Sequence, residues 1–199
     1  MIRTSCIRLL QMDAVVGDFE ANMRKLADAA KTARQDRVSV LIAPELALTG
    51  YPPEDLLLRP ALIDKLTASE SRLCEISRGL TLMVGAPSEL VRESSAWDLG
   101  NNSARPASLW NSLIVYKDGV RVTTYHKQSL PNYQVFDERR YFVAGSEPQI
   151  CDIDGIRIGL LVRLLRCVQL INHLRGVLQG GVALTLGLLQ FLLGPSQQL

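Results

Sequence analysis

At 199 residues and 47% hydrophobic content the chain is long enough for one full α/β core, or for one domain with a short extension. A formal net charge of +2, without any Lys/Arg run, gives no basis for a nucleic-acid or anionic-membrane partner. The four cysteines, Cys6, Cys74, Cys151 and Cys167, are widely spaced and form no CxxC pair, so neither disulfides nor zinc are expected and a reducing cytoplasm fits.

The opening MIRTSCIRLLQMD has arginines breaking its apolar run and no small-residue cleavage site, and it reads as a first strand, Ser5 to Met12, rather than a signal peptide. Gly17 supplies a turn and Asp18 a helix N-cap. Phe19, Met23, Leu26, Ala27, Ala30 and Ala33 then recur at helical spacing, predicting an amphipathic helix to about Arg37. Val38 to Ala43 is a short, continuously apolar strand of the kind buried on both faces. Pro52, Pro53 and Pro60 keep the following loop from turning helical early, and Leu62, Leu66, Leu73 and Ile76 mark a second amphipathic helix. Leu80 to Gly85 is a third strand. Pro87 to Ala107 is polar and rich in Ser, Asn, Gly and Pro, hence an exposed loop. Asp118-Gly119 and Asp154-Gly155 are type I′ hairpin signals, pairing Trp110 to Tyr116 with Val120 to Tyr125, and Gln149 to Ile153 with Ile156 to Val162. The pattern is a mixed-sheet α/β layer architecture without internal repeats.

Two stretches carry chemistry. In LIAPELALTGYPPEDLL, Leu41 to Leu57, Glu45 stands just past an apolar strand, at the carboxyl end where ligands of open α/β sheets gather. A carboxylate there is partly desolvated and suited to accept a proton; the alternative is a capping or surface-paired glutamate. In HKQSLPNYQVFDERRYF, His126 to Phe142, Lys127, Tyr133 and Glu138 sit in a proline-kinked aromatic segment of poor periodicity, the kind that presents side chains. Beside Glu45, a lysine ammonium could hold charge where an oxyanion develops, and a second carboxylate could orient the pair. The alternative is a solvated surface lysine.

Together with QMDAVVGDFEAN, WNSLIVYKDG and IRIGLLV, in that chain order, these stretches resemble the nitrilase, or carbon-nitrogen hydrolase, superfamily over Met1 to Val162, about four fifths of the chain. GYPPEDLL and LPNYQVFDERRYF point to the glutaminase domain of the glutamine-dependent NAD synthetase branch. The resemblance implies an α-β-β-α sandwich, incomplete at its C-terminus, and a Glu-Lys-Cys triad acting on L-glutamine. Glu45 matches the general base, Lys127 the lysine that stabilises the oxyanion, Glu138 the supporting carboxylate and Tyr133 part of the glutamine site, with Tyr51 facing the pocket. It implies no cofactor for this domain; ATP and Mg belong to a separate synthetase domain, for which the chain has no phosphate-cradling loop, Gly180-Gly181 being no substitute. Members of the superfamily associate, so a homo-oligomer or a contact with a synthetase domain is expected.

The resemblance ends at position 163, where the nucleophilic cysteine should follow IRIGLLV and Arg163 stands instead. Residues 163–199 contain no Asp, Glu or Lys and are rich in leucine, an abrupt change that suggests a reading-frame shift or an aberrant terminus after Val162. Cys167 is a poor substitute: if the tail starts as a helix it lies one turn after Arg163, and a displacement of about 5.4 Å exceeds the about 3 to 3.5 Å tolerance of an attacking atom. Val182 to Leu193 is apolar but shorter than the roughly 20 residues a membrane span needs, and it is expected to be a helix on the domain edge or poorly ordered. Absence of the nucleophile predicts an inactive chain. A hydrolase of another amide or a nitrile, and a non-catalytic binding or interaction protein, are the alternatives.

Overall fold

The structure, a computed structural model, describes residues 6–89, 109–133, 136–162 and 182–186, with Tyr133, Phe136 and residues 182–186 described by their backbone alone. Strands β1 (Ile7–Leu9), β2 (Val40–Ile42) and β3 (Thr81–Glu89) run parallel, linked through helices α1 (Phe19–Gln35) and α2 (Pro60–Ile76). Strands β4 (Leu109–Lys117) and β5 (Val120–His126) extend the sheet antiparallel, giving the order β1-β2-β3-β4-β5. A two-residue-strand hairpin, β6 (Asn132–Tyr133) and β7 (Phe136–Asp137), follows. A second sheet is built from β8 (Gln149–Ile153), β9 (Ile156–Val162) and β10 (Val182–Leu186), with β9 in the middle.

Strand alternation sorts the side chains into two cores. Leu41, Leu82, Val84, Ile114 and Tyr116 face α1 and α2, where they meet Met23, Leu26, Leu62 and Leu73. Val40, Ile42, Met83, Leu113, Val115 and Tyr125 face the second sheet and meet Ile153, Ile158, Leu160 and Val162. The described layers are therefore helix, sheet, sheet. A fourth, helical layer over the second sheet has no counterpart among the described residues.

The local signals explain most element ends. Asp18 Oδ1 accepts from Ala21 N at 2.9 Å and starts α1, which stops at Gln35 because Arg37 turns left-handed at φ 56°. Pro60 occupies the first turn of α2, where its missing N–H costs nothing. Both Asp-Gly turns have positive φ at both residues, 51° and 89° in the first, 55° and 83° in the second, as type I′ hairpins require.

Four expectations need correction. The first strand is only Ile7–Leu9. The prolines after Glu45 do not keep that loop free of helix: Pro53, at φ −80° and ψ −17°, leads into a 3-10 turn, Glu54–Leu58, because a proline's fixed φ suits a helix start. The third strand continues through Glu89, pairing with Leu109, so only residues 90–107 of the expected loop are left, and they lie outside the described residues. Within the expected terminal helix, Val182–Leu186 is instead a strand parallel to β9, with Val182 opposite Ile158. The free edge of β9 offers unpaired N–H and C=O groups, and a short apolar segment satisfies them better as a strand than as an isolated helix.

Candidate active site

Glu45 lies on the turn that leaves β2. Leu46 takes φ 50° there, and Gly50 N closes the turn on Leu46 O at 2.9 Å. The buried Asn22 of α1 anchors the same loop, its Nδ2 donating to Leu48 O at 3.1 Å and to Val15 O at 2.8 Å. Gly85 of β3 lies beneath the turn: a Cβ there would stand 2.4 Å from Pro44 O and 2.7 Å from Glu45 Cα. Only glycine lets the turn sit this close to the sheet.

Lys127 is the first residue beyond β5. Its N–H donates to Asn111 O at 2.8 Å, and its carbonyl accepts from Gly145 N at 3.0 Å. Gly145 is needed for that approach, since a Cβ would come within 2.4 Å of His126 O. Glu138 opens a 3-10 turn, Glu138–Arg140, directly after the β6–β7 hairpin. Its N–H reaches Pro131 O at 3.2 Å, and its carbonyl accepts from Phe142 N at 2.8 Å.

These loops bring three expected residues onto one nitrogen. Lys127 Nζ is 2.6 Å from Glu45 Oε1 and 2.8 Å from Glu138 Oε1, with side-chain exposures of 1%, 10% and 7% for the lysine, Glu45 and Glu138. Asn111 Nδ2 also donates to Glu45 Oε1, at 2.6 Å, and Tyr51 OH donates to Glu138 Oε1 at 3.4 Å. Two carboxylates against one ammonium leave the cluster one negative charge in excess when all three are ionised. Burial pushes the Lys127 pKa down, but the charges of Glu45 and Glu138 and their hydrogen bonds outweigh it and raise it above the ordinary 10.5. Burial, joined by the charge of Glu45, raises Glu138 above the ordinary 4.5 against the opposing pull of Lys127 and Asn111. Lys127 is thus held as a cation, suited to stabilise developing negative charge rather than to accept a proton. Lys127 and Asn111 both donate to Glu45 Oε1; Oε2 makes no hydrogen bond among the described residues.

Tyr51 also lines a cleft of about 660 Å³ with Glu138, Arg140 and Tyr141. Tyr133 is placed by its backbone, opposite Phe136, and Arg163 and Cys167 lie outside the described residues. Asn111, Gly85 and Gly145 were not anticipated. Asn111 had a signal, a polar residue entering the apolar run of WNSLIVY; the two glycines depend on contacts between distant segments. Cys6, Cys74 and Cys151 are free thiols, and among the described residues no group of three or more His, Cys, Asp or Glu side chains could hold a metal. Nor is any described helix long and apolar enough to cross a membrane.

A second polar group occupies the opposite face of the same strands. Ser112 Oγ lies 2.6 Å from Ser88 Oγ and 2.9 Å from His126 Nδ1, and the imidazole stacks on Trp110 at 4.0 Å between ring centroids. Ser88, Trp110 and His126 border a groove of about 470 Å³ between α2 and strands β3 to β5. Burial, then the charge of Arg121, lowers the His126 pKa below its ordinary 6.5.

The sequence profile described as carbon-nitrogen hydrolase matches residues 6–163, and the chain belongs to that family. Among its relatives, the glutamine-dependent NAD(+) synthetase of Thermotoga maritima is 34% identical over 158 residues, 78% of this chain and 25% of that protein. The enzyme of the same name from Acinetobacter baylyi is 31% identical over 156 residues, 78% of this chain and 26% of that one. Among solved structures, the glutamine-dependent NAD+ synthetase of Acinetobacter baumannii in complex with ADP superimposes with a TM-score of 0.75 at 28% identity, covering 91% of this chain and 32% of that one. An amidase from Nesterenkonia gives 0.64 at 26% identity, covering 81% and 57%. The chain thus spans about a quarter of the length of the curated relatives it matches. The branch indicated by GYPPEDLL and LPNYQVFDERRYF is the one in which these relatives lie.

Proposed function

We propose that this chain carries the frame of a glutamine amidohydrolase of the NAD synthetase type, folded as the family's α-β-β-α sandwich, with Glu45 as general base, Lys127 as oxyanion stabiliser and Glu138 as supporting carboxylate. The observation that carries this reading is the single buried ammonium held by both carboxylates, at 2.6 and 2.8 Å, at the carboxyl end of the first sheet. In the complete reaction a cysteine thiol gives its proton to Glu45 Oε2 and its sulfur bonds to the amide carbon of glutamine. The carbonyl oxygen takes up the electron pair beside Lys127, and ammonia leaves with the returned proton. Water then cleaves the thioester to glutamate, and ammonia passes to an ATP-dependent synthetase domain. Arg163 stands where the family reading places the thiol, so this chain binds the amide without forming the acyl-enzyme. Tyr51 and Tyr133 serve the glutamine pocket.

Titration calorimetry with glutamine tests the assignment. Glutamine binds the chain, and Lys127→Met and Glu45→Ala each weaken it at least tenfold. The likeness to the Nesterenkonia amidase, at 26% identity and a TM-score of 0.64, supports a second reading, an acceptor of another amide. Binding of simple aliphatic amides with none of glutamine would establish that reading and overturn the first.

A further inference from the structure

Asn111 holds both principal members of the cluster. Its side-chain Nδ2 donates to Glu45 Oε1 at 2.6 Å, and its main-chain oxygen accepts from Lys127 N at 2.8 Å. On β4 it shares the inter-sheet face with Leu113 and Val115, both in the apolar core, and it is itself fully buried. Packing alone would be served there by another aliphatic residue.

The amide has one workable orientation. Facing a carboxylate it must present nitrogen, and this turns Oδ1 into the interior, where that oxygen has no hydrogen-bond partner among the described residues. A buried polar group kept half satisfied marks a place where something other than stability is being served. The other buried acceptor of the cluster without a partner, Glu138 Oε2, shares that feature.

Two donors on one oxygen restrict what the other oxygen can do. Lys127 Nζ is shared between two carboxylates, and a single contact to Glu45 Oε1 leaves the terminal torsion of the glutamate free, because it is broad and nearly two-fold. A second donor at the same oxygen, from a different strand, fixes the plane of the carboxylate. We propose that Asn111 is a positioning residue for Glu45: with Lys127 it clamps Oε1, so that Oε2 alone, in one direction, is left to accept the proton. The inference rests on the reading of Glu45 as the base.

A double-mutant cycle on the full chain tests it, read as urea unfolding midpoints at pH 7 for wild type, Asn111→Leu, Glu45→Gln and the double variant. Asn111→Leu should lower the midpoint at least twice as far in the Glu45 chain as in the Glu45→Gln chain; equal losses in both backgrounds overturn the proposal. Asn111→Asp supplies a second arm of unchanged shape. Ionised, it places a third carboxylate in the cluster; protonated, it is a donor as the amide is. As the pH falls it should recover toward wild type, while Asn111→Leu does not. A gap between Asn111→Asp and wild type that stays constant from pH 9 to pH 5 overturns the proposal even if Asn111→Leu fails to fold. Glutamine is absent from every arm, so a cycle that shows coupling in a chain that binds no glutamine removes only the substrate assignment.

Discussion

Neighbouring residues of β4 and of the end of β5 build two polar groups that differ in almost every physical respect. Asn111 and Lys127 point to the inter-sheet side and join Glu45 and Glu138 in a cluster that is charged and almost fully buried. One residue away, Ser112 and His126 point to the helix side and join Ser88 and Trp110 in a chain that is neutral and borders an open groove. Buried charges hold only while each has its partner, whereas hydroxyls and a neutral imidazole tolerate the loss of one contact. The charged group is therefore where the fold has least freedom, and its loops are braced accordingly by Asn22, Gly85 and Gly145.

Substitutions on the two faces sharpen this contrast. The largest effect is expected from Lys127→Met, which leaves two carboxylates buried together without a cation and should cost about 3–5 kcal/mol. His126→Phe on the other face should cost about 1 kcal/mol, the worth of one hydrogen bond. Urea unfolding compares them, and equal losses would erase the distinction. Next comes Gly85→Ala, which drives a methyl into backbone at 2.4 Å and should cost about 1–3 kcal/mol while displacing Glu45. The same unfolding series measures it, and a neutral result would mean that the turn does not need its close seat on β3.

The two smallest effects are pH slopes of opposite sign. Glu138 has a raised value in the folded chain, so its contribution is complete at acid pH, below the ordinary carboxylate value of 4.5, and is lost as pH rises through the folded value. Relative to Glu138→Gln, wild type should thus lose stability on going upward through the weakly acid range. His126 has a lowered value, so its contribution is present above 6.5 and is lost as pH falls through the folded value. Relative to His126→Phe, wild type should lose stability on going downward. Thermal unfolding of the three proteins across pH 4 to 8 reads both, and slopes of one sign would contradict the assigned environments.

Much of this was legible in the sequence where the signal is local. The Asp-Gly turns, the Asp18 cap and the helical spacing of Met23, Leu26 and Ala30 each act over a few residues, and the elements they specify are present. Glu45, Lys127 and Glu138 were singled out by motif. That they converge on one nitrogen, across 82 residues between Glu45 and Lys127, is a property of sheet order that no window of sequence contains. Gly85 and Gly145 were unreadable for the same reason: each is required by a backbone segment far away in the chain. Val182–Leu186 has an apolar run without a decisive period, and its strand form follows from the free edge of β9.

Ammonia release is the readout that decides whether Glu45 and Lys127, proposed here as base and oxyanion stabiliser, work without the thiol whose place Arg163 takes. Incubated with glutamine at neutral pH, the chain should release no ammonia above the uncatalysed background. A measurable rate that disappears on Glu45→Ala would overturn the proposed function, because it would mean that a nucleophile is present after all.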